Sequence, residues 1–348
     1  SAGRGAIANL YRFRFWRDEH TKALFETFRA KYFSTNDLET IRSLGYNCIR
    51  LAFFHTLLED DITPYSYKTS GWERLDWALN ECAKRRLWVI LDLHSTPGGQ
   101  NPYHASGLRD PFQNRMWLGE FFKDRTEKLW TAIAFRYATN PVVAGYDLFN
   151  EPDPPRQGSA KSDYQTAFSN SILPLVTRLH TAIRSNDTAH ILFLEGNMMY
   201  TNMWDDACWW PVPSSNGWTN VVYEFHVYDQ TVYGRNYNDD WWFSTQKGVC
   251  DSMIRAFTRF SDARQTPVYV GEFAPWDERN TEYWLRQCEA NDLHWGHWNY
   301  RSWGWDDPTT PTKGRTVWGL DYRSAPTTNQ KPRLNLDALG TLIFFFDN

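Results

Sequence analysis

The chain has 348 residues, of which 42% are hydrophobic and 22% are charged, and its formal net charge is −4. This is the composition of a globular protein, because disordered chains have few aromatic residues and a high net charge. A nearly neutral, slightly acidic chain is also a poor electrostatic match for nucleic acid or an anionic membrane surface, so we expect neither as a partner.

Aromatic residues are unusually frequent, since the chain has 19 Trp, 18 Tyr and 22 Phe. A hydrophobic core of this size does not need so many tryptophans, so we expect many of the rings to contact something else. Sugar rings suit aromatic faces, because they combine an apolar body with a polar rim. The composition therefore favours a nonionic ligand of this kind.

A repeating unit runs along the chain: a helical pattern, a short turn and then a brief apolar run that ends in polar residues. The helical pattern from Thr35 to Ser43 stops at Gly45 and leads into an apolar run from Cys48 to Phe53. Trp72 to Arg85, with apolar residues at helical spacing, leads into the run from Leu87 to His94. After a helical stretch from Trp117 to Tyr137, the later runs are Val142 to Phe149, Ile191 to Leu194, Val221 to Phe225, Val268 to Val270 and Leu293 to Trp298.

These seven runs predict strands of a barrel, and a weaker eighth run lies at Gly5 to Leu10. Strands that alternate with helices predict a parallel sheet. Eight such units favour a (β/α)8 (TIM) barrel over an open doubly wound sheet, and no GxGxxG turn follows the first strand to support a dinucleotide fold. No repeat, low-complexity tract or apolar run of ~20 residues, the length of a membrane span, interrupts the chain. We therefore predict a single α/β domain over residues 1–348.

Two glutamates follow strand-like runs directly, Glu151 and Glu272. A lone glutamate is most often a solvated surface charge, but catalytic groups of a barrel gather at the carboxyl ends of its strands. Two carboxylates that face each other across a cleft are the groups that glycoside hydrolysis uses: one protonates the leaving oxygen, and the other attacks the sugar or activates water. Glu195 also ends a strand, and it is the alternative carboxylate if this assignment is wrong.

The strand-end motifs resemble those of glycoside hydrolase family 5, the cellulase-like family of clan A. Leu148 to Pro152 (LFNEP) resembles the acid/base motif of the family, and Val270 to Phe273 (VGEF) resembles its nucleophile motif. Five further strand-end residues match the family in order along the chain: Arg50, His94, His226, Tyr228 and Trp298. The resemblance implies a retaining enzyme in which Glu151 is the acid/base and Glu272 the nucleophile.

Simple electrostatics supports the roles that the resemblance implies for the two glutamates. Glu272 must be ionised to attack, and a nearby Arg50 and a hydrogen bond from Tyr228 are expected to lower its pKa and hold it in line. Glu151 must start protonated, which burial and the charge of Glu272 favour. His226 is expected to bond Glu151.

The same resemblance places the remaining residues around the sugar. Asn150 is expected to bond the 2-hydroxyl, a contact that strengthens in the transition state. His94 is expected to hold another hydroxyl, and Trp298 to form a stacking floor beneath the cleaved sugar. Each residue also has a purely structural alternative: a salt bridge for Arg50, satisfied structural histidines for His94 and His226, and a core position for Trp298.

Other residues carry weaker expectations. The loop from Ser95 to Asn101 is expected to wall the cleft, and Asp147 is expected to be a buried structural acid. Cys208 and Cys250 are one candidate disulfide, whereas Cys48 and Cys82 lie in apolar patterns. Further aromatics that we expect to line the cleft are Trp276, Trp303 and Trp305.

The family resemblance implies a β-glycosidase that acts on a β-linked glucan, as cellulases and β-glucanases do. We expect an oligo- or polysaccharide substrate, no metal or organic cofactor, and a secreted monomer, although no signal peptide is visible at the start of this chain. A β-mannanase, a β-1,3-glucanase and an exo-acting β-glycosidase remain open. Rivals from other classes are a noncatalytic carbohydrate-binding barrel and a metal-dependent barrel hydrolase.

Overall fold

A computed structural model describes residues 33–103, 106, 114–196, 209–228, 240–273, 278–298, 300–303, 321–323 and 333–334. The chain divides into two compact units, Ser1–Tyr46 and Asn47–Asn348. In the first unit the described helix is α1 (Thr35–Ser43), which has the predicted bounds. It begins after Ser34, whose backbone N–H and hydroxyl both donate to the Asp37 carboxylate. The single domain predicted for residues 1–348 stays a prediction.

The second unit alternates strands and helices. In chain order its elements are β1 (Cys48–Phe54), β2 (Glu59–Asp60), β3 (Thr63–Tyr67), α2 (Thr69–Lys84), β4 (Trp88–Ser95), α3 (Glu120–Tyr137), β5 (Val143–Asp147), α4 (Lys161–Ala167), α5 (Leu173–Arg184), β6 (Ile191–Glu195), β7 (Val221–Val227), α6 (Asp240–Arg264), β8 (Val268–Phe273), α7 (Glu278–Ala290), β9 (His294–His297), β10 (Arg301–Trp303), β11 (Asp321–Arg323) and β12 (Arg333–Leu334). A single π-helical turn, Phe168–Ile172, joins α4 to α5.

Seven of these strands form one parallel sheet in the order β1-β4-β5-β6-β7-β8-β9. Sequential parallel strands joined by helices are the arrangement of a (β/α)8 barrel, which confirms the predicted fold class. Each of the seven stronger predicted strands is present, with ends that differ by at most three residues. The eighth, Gly5 to Leu10, lies outside the described residues. The antiparallel hairpin β2–β3 and the small sheet β10-β11-β12 were not predicted.

The helices form because their apolar residues recur on one face. On α2 the buried residues include Leu75, Leu79 and Cys82, at spacings of four and three. On α3 the buried face includes Leu129, Trp130 and Ile133. The indole N–H of Trp130 also donates to the backbone carbonyl of Leu148 at 2.9 Å, so this helix anchors the chain just beyond β5.

The side chains inside the sheet change from apolar to charged along the strands. A strand returns its side chains to the same face every second residue. The apolar layer contains Ile90, Phe193 and Tyr269, with Cys48 and Val222 packed against them. Two residues further along those strands, the charged layer contains Arg50, Asp92, Glu195 and Glu224. The apolar layer therefore supports a polar layer at the carboxyl ends of the strands.

Free thiols are found at four of the cysteines: Cys48, Cys82, Cys250 and Cys288. Cys208 lies outside the described residues. Burial raises the pKa of Cys82 to about 11, so this thiol stays neutral at ordinary pH. Within the described ranges, every helix is too short or too polar to cross a membrane.

Candidate active site

The two glutamates singled out in the sequence lie close together at the carboxyl ends of β5 and β8. Both are buried, with 8% of Glu151 and 4% of Glu272 exposed. One carboxylate oxygen of each residue and a ring nitrogen of His226 all lie within 4.8 Å of one another. An irregularity in the β7–β8 pairing places His226 opposite Glu272 in the register. The predicted pair therefore shares one site with the predicted histidine.

Glu272 is held through both of its carboxylate oxygens. Nη1 of Arg50 donates to Oε1 at 2.7 Å, and the hydroxyl of Tyr228 donates to Oε2 at 2.7 Å. Burial, followed by the charges of Glu272 and Glu151, raises the pKa of Tyr228 well above its ordinary value. The tyrosine therefore stays a neutral donor. The carboxylate plane of Glu272 is fixed by two hydrogen bonds, one from the Arg50 cation and one from the Tyr228 hydroxyl.

Arg50 lies at the centre of a buried group of acids. Its guanidinium contacts, in order of distance, Asp147 (2.6 Å), Glu272 (2.7 Å), Asn150 (2.8 Å), Glu195 (3.1 Å), Asp92 (3.2 Å) and Glu224 (3.2 Å). Burial alone would lower the pKa of Arg50, but the charges of Asp92, Asp147 and the other acids raise it well above its ordinary value. The side chain thus stays a cation, and it both offsets part of the negative charge of the acids and holds Glu272.

The acids around Arg50 differ in how well their charges are balanced. Burial and the nearby charge of Glu224 raise the pKa of Asp147 well above its usual range, despite the guanidinium. Burial would also raise the pKa of Asp92, but the charges of Arg50 and His94 lower it. Asp147 therefore fits the buried structural acid that the sequence predicted. A proton on one acid lowers the repulsion among the rest.

The carboxyl group of Glu151 lies beside a cation, which changes its expected pKa. Burial would raise the pKa of Glu151, but the hydrogen bond and charge of His226, together with the charges of His94 and Arg50, lower it. The expectation of a raised pKa is therefore wrong, because His226 was treated as a hydrogen-bond partner and not as a cation. Nδ1 of His226 lies 2.8 Å from Oε1 of Glu151.

His226 is the group that holds the proton of this pair. Burial would lower its pKa, but the carboxylates of Glu195 and Glu272 and the hydrogen bond to Glu151 raise it well above its ordinary value. The proton shared by Glu151 and His226 is consequently favoured on the imidazole, whose Nδ1 faces the carboxylate. Such a coupled pair titrates as a unit.

Three rings form a parallel stack beside the glutamates. The rings of His94 and Trp298 lie 5.0 Å apart at an interplanar angle of 4°, and Phe54 stacks on His94 at 6.4 Å and 20°. Nδ1 of His94 also lies 2.8 Å from a carboxylate oxygen of Asp92. Trp298 is half-buried, and its backbone N–H donates to the carbonyl of Phe273 at 2.8 Å. The indole is thus fixed by neighbours and partly open.

Three further aromatics are predicted to line the cleft. Trp276 and Trp305 lie outside the described residues, and Trp303 is described only as part of the backbone of β10. Among the remaining loop tryptophans, Trp210 is buried and packs edge-on against Phe168. Trp210 is therefore a packing residue.

The loop after β4, Ser95 to Asn101, does more than flank the cleft. The side chain of Gln100 donates to the carbonyl of Asn150 at 2.7 Å, and the side chain of Asn101 donates to the carbonyl of Glu151 at 2.9 Å. Both donors are completely buried. Sequence analysis missed these two residues, because no local pattern links them to a turn some 50 positions away in the chain.

Two groups of three side chains within the described residues have donor atoms spaced closely enough for a metal ion. They are Glu151, His226 and Glu272, and Glu195, Glu224 and His226. The guanidinium of Arg50 lies 3.1 Å from Glu195 and 3.2 Å from Glu224, so positive charge is already supplied to the second group. The expectation of a metal-free enzyme stays a prediction.

A parallel barrel with two buried glutamates at its strand ends, one oxygen of each within 4.8 Å, is the arrangement of a glycoside hydrolase. Comparison with known families agrees, since residues 18–304 match the model for cellulases of glycosyl hydrolase family 5. The chain belongs to glycosyl hydrolase family 5.

Individual relatives have several named activities. A β-xylosidase of Phanerodontia chrysosporium is 32% identical over 261 residues, which are 74% of this chain and 50% of that protein. Endoglucanase C of Acetivibrio thermocellus is 27% identical over 285 residues, covering 77% of this chain and 68% of that protein. A probable glucan 1,3-β-glucosidase A of Aspergillus niger is 26% identical over 281 residues, covering 78% and 59%. The chain thus spans about half the length of the β-xylosidase.

Solved structures share the fold. Cel5A of Thermotoga maritima, solved in complex with mannotriose, superposes with a TM-score of 0.63 at 17% identity, over 89% of this chain and 90% of that one. An endogalactoceramidase superposes with a TM-score of 0.68 at 18% identity, over 89% and 75%. At these identities the likeness supports the barrel and not a substrate.

Proposed function

We propose that this protein is a retaining β-glycosidase that hydrolyses a β-linked glucan by double displacement. The observation that carries the proposal is the separation of Glu151 and Glu272. A carboxylate oxygen of Glu151 lies within 4.8 Å of a carboxylate oxygen of Glu272. Carboxyl groups lie about 5–5.5 Å apart in retaining glycosidases and about 6.5–9.5 Å apart in inverting ones. The shorter spacing leaves no room for a water between carboxylate and sugar, so a carboxylate must attack directly.

In the first step Glu272 attacks the anomeric carbon. Its orientation is supported by the contacts of Arg50 with Oε1 and of Tyr228 with Oε2, both at 2.7 Å. As the bond between the anomeric carbon and the leaving oxygen breaks, that oxygen takes the proton of the Glu151–His226 pair. That proton moves from Nδ1 of His226, 2.8 Å from Oε1, through Glu151 to the leaving oxygen, so Glu151 ends the step as a carboxylate and His226 as a neutral imidazole. A covalent glycosyl-enzyme results.

In the second step water replaces Glu272 at the anomeric carbon. Glu151, now a carboxylate, accepts a proton from the attacking water, and the bond between the sugar and Glu272 breaks. The charge of Glu272 is absent during the intermediate and returns when the sugar leaves. Two inversions at the same carbon restore the β configuration.

Three neighbouring residues are suited to bind the cleaved sugar. Arg50 holds Asn150 through Oδ1 at 2.8 Å, which supports a fixed amide that bonds the 2-hydroxyl. His94 and Trp298 present parallel rings 5.0 Å apart beside the glutamates. The half-buried indole of Trp298 provides an apolar face of the kind that stacks on pyranose rings.

The relatives guide the choice of substrate. An endoglucanase and a probable glucan 1,3-β-glucosidase among them support a β-linked glucan. A β-xyloside is the second candidate, because the β-xylosidase has the higher identity of the three, 32%. A polysaccharide substrate also supports secretion of this protein, because a polysaccharide does not enter cells intact.

The test is hydrolysis of a panel of cellulose oligomers, β-1,3-glucan, mannan, xylan and aryl β-glycosides, with analysis of the new reducing ends. We expect the β-linked glucans to be cleaved to glucose or shorter oligomers. Activity should survive exhaustive chelation, and Glu272→Gln should show no turnover. Binding without hydrolysis across the panel would instead support a noncatalytic barrel. Loss of activity on chelation would support a metal-dependent hydrolase.

A further inference from the structure

The backbone at Glu151 adopts an unusual conformation. Its φ angle is +45°, in the left-handed region that residues with a Cβ atom seldom occupy. Such a conformation persists only where surrounding groups hold it, and it is frequent at catalytic residues. The direction of the Glu151 side chain toward His226 therefore depends on the groups that hold this backbone conformation.

Three buried side chains hold the turn by hydrogen bonds to its backbone. Oε2 of Glu195 accepts from the N–H of Glu151 at 2.7 Å. The side chain of Asn101 donates to the carbonyl of Glu151 at 2.9 Å, and that of Gln100 donates to the carbonyl of Asn150 at 2.7 Å. Of the three, Glu195 is the one with a carboxyl group, and its other oxygen contacts Arg50.

The second oxygen of Glu195 connects the turn to the nucleophile. Oε1 of Glu195 lies 3.1 Å from Nη2 of Arg50, and Nη1 of the same guanidinium lies 2.7 Å from Oε1 of Glu272. Because the guanidinium is rigid and planar, its two ends cannot move independently. A continuous path of hydrogen bonds therefore runs from the backbone of Glu151, through Glu195 and Arg50, to the carboxylate of Glu272.

We propose that Glu195 is a positioning residue that fixes Glu151 relative to Glu272 by bridging the Glu151 amide and Arg50. It acts on the reaction through Glu151 and does not touch the substrate. This inference rests on the proposed function of Glu151 as the acid/base.

Glu195→Gln is the diagnostic substitution, because both carboxylate oxygens accept from N–H donors. Glutamine keeps the size and one acceptor, but its NH2 group must face either the Glu151 amide or the guanidinium. We expect kcat/KM on a substrate with a poor leaving group to fall about 10- to 100-fold, the cost of a small misplacement of a catalytic group. An aryl glycoside with a good leaving group, which does not need the proton, should lose less than threefold.

The double variant separates positioning from general damage. If Glu195 acts through Glu151, Glu151→Gln combined with Glu195→Gln should have the same kcat/KM as Glu151→Gln alone, within about twofold. Should the glutamine variant fail to fold, Glu195→Asp carries the same test, because aspartate keeps both acceptors but is too short to reach both donors.

Glu59 provides a matched control outside the site. It is fully buried, its Oε1 accepts from the N–H of Tyr65 at 2.5 Å, and it pairs with Arg125 at 3.2 Å. Tyr65 also has a positive φ, +67°. Glu59→Gln thus removes a buried carboxylate charge beside an arginine and a backbone N–H outside the site, and it should lower thermal stability without any dependence on the leaving group.

The outcomes are distinct. The proposal predicts that Glu195→Gln shows the leaving-group dependence and Glu59→Gln does not. Equal losses of Glu195→Gln on both substrates, or a further loss in the double variant, would overturn it. If Glu151→Gln itself shows no dependence on the leaving group, the proposed function fails, and Glu195 fails with it; if only Glu195→Gln lacks the dependence, the proposed function stands.

Discussion

Nδ1 of His226 lies 2.8 Å from Oε1 of Glu151, and the two groups have pKa values shifted in opposite directions. The pKa of the imidazole is raised and that of the carboxyl is lowered, so between them the pair holds one proton. In the proposed mechanism this pair is the acid of the first step, and we expect its loss of that proton to set the upper pH limit of activity.

Replacement of His226 by glutamine should move that upper limit to lower pH. In the parent enzyme the pair loses its proton only as the pH rises through the raised pKa of His226. In His226→Gln the proton must reside on Glu151, and the ordinary pKa of a carboxyl is about 2 units below that of imidazole. The measurement is kcat/KM against pH; a basic limb that stays in place would remove His226 from the proton-holding role.

Glu151→Gln should lower activity on natural substrates by about 10²–10⁴, the usual contribution of general acid catalysis. An amide has no proton to give to a poor leaving group. Aryl glycosides with very good leaving groups should lose much less in the first step, which a burst-phase measurement of aglycone release reports. Equal losses on both substrates would contradict the acid role.

The barrel could be predicted because its signals are local. The run from Val221 to Phe225 is apolar and short, and it lies in a chain that alternates such runs with helices. The strand ends two residues later, at Val227, and contains His226. This end could not be predicted from the apolar pattern, because the strand continues through a polar residue. The hairpin β2–β3 was missed, because its strands have only two and five residues and no apolar alternation.

The charged layer around Arg50 could be predicted only in part. Glu224 and His226 are two residues apart on one strand, and so are Asp92 and His94, which places each pair on one face. That spacing is a usable signal for the buried acids. Which acid reaches the guanidinium depends on strand register and on long-range packing, so the pKa direction of Glu151 could not follow from the sequence.

Trp298→Ala should weaken substrate binding or transition-state stabilisation by about 1–3 kcal/mol, by analogy with other stacked rings. Its indole is half-buried and stacks on His94, so little core packing depends on it. The melting temperature should change little. Trp210→Ala is the control, since that ring is 1% exposed and its loss should cost about 3–5 kcal/mol of folding stability. A large drop in melting temperature with unchanged affinity would place Trp298 in the core.

Gly271→Ala should destabilise the protein, because a Cβ atom there would lie 1.5 Å from Oε1 of Glu224. Overpacking of a buried site costs about 1–3 kcal/mol and occasionally more. Gly248→Ala, in α6, where an added Cβ would meet no heavy atom within 4 Å beyond its chain neighbours and the helix's own backbone, should instead stabilise by about 0.5–1 kcal/mol. Urea unfolding measures both free energies, and similar values for the two variants would contradict the close contact of Gly271 with Glu224.

The most direct test of the retaining mechanism is the configuration of the product when it first forms. A proton NMR time course follows the anomeric signals before mutarotation mixes them. If Glu272 attacks the sugar and water then displaces it, as proposed, the two inversions should give the β anomer first. The α anomer forming first would contradict the mechanism, even with every residue of the site correctly assigned.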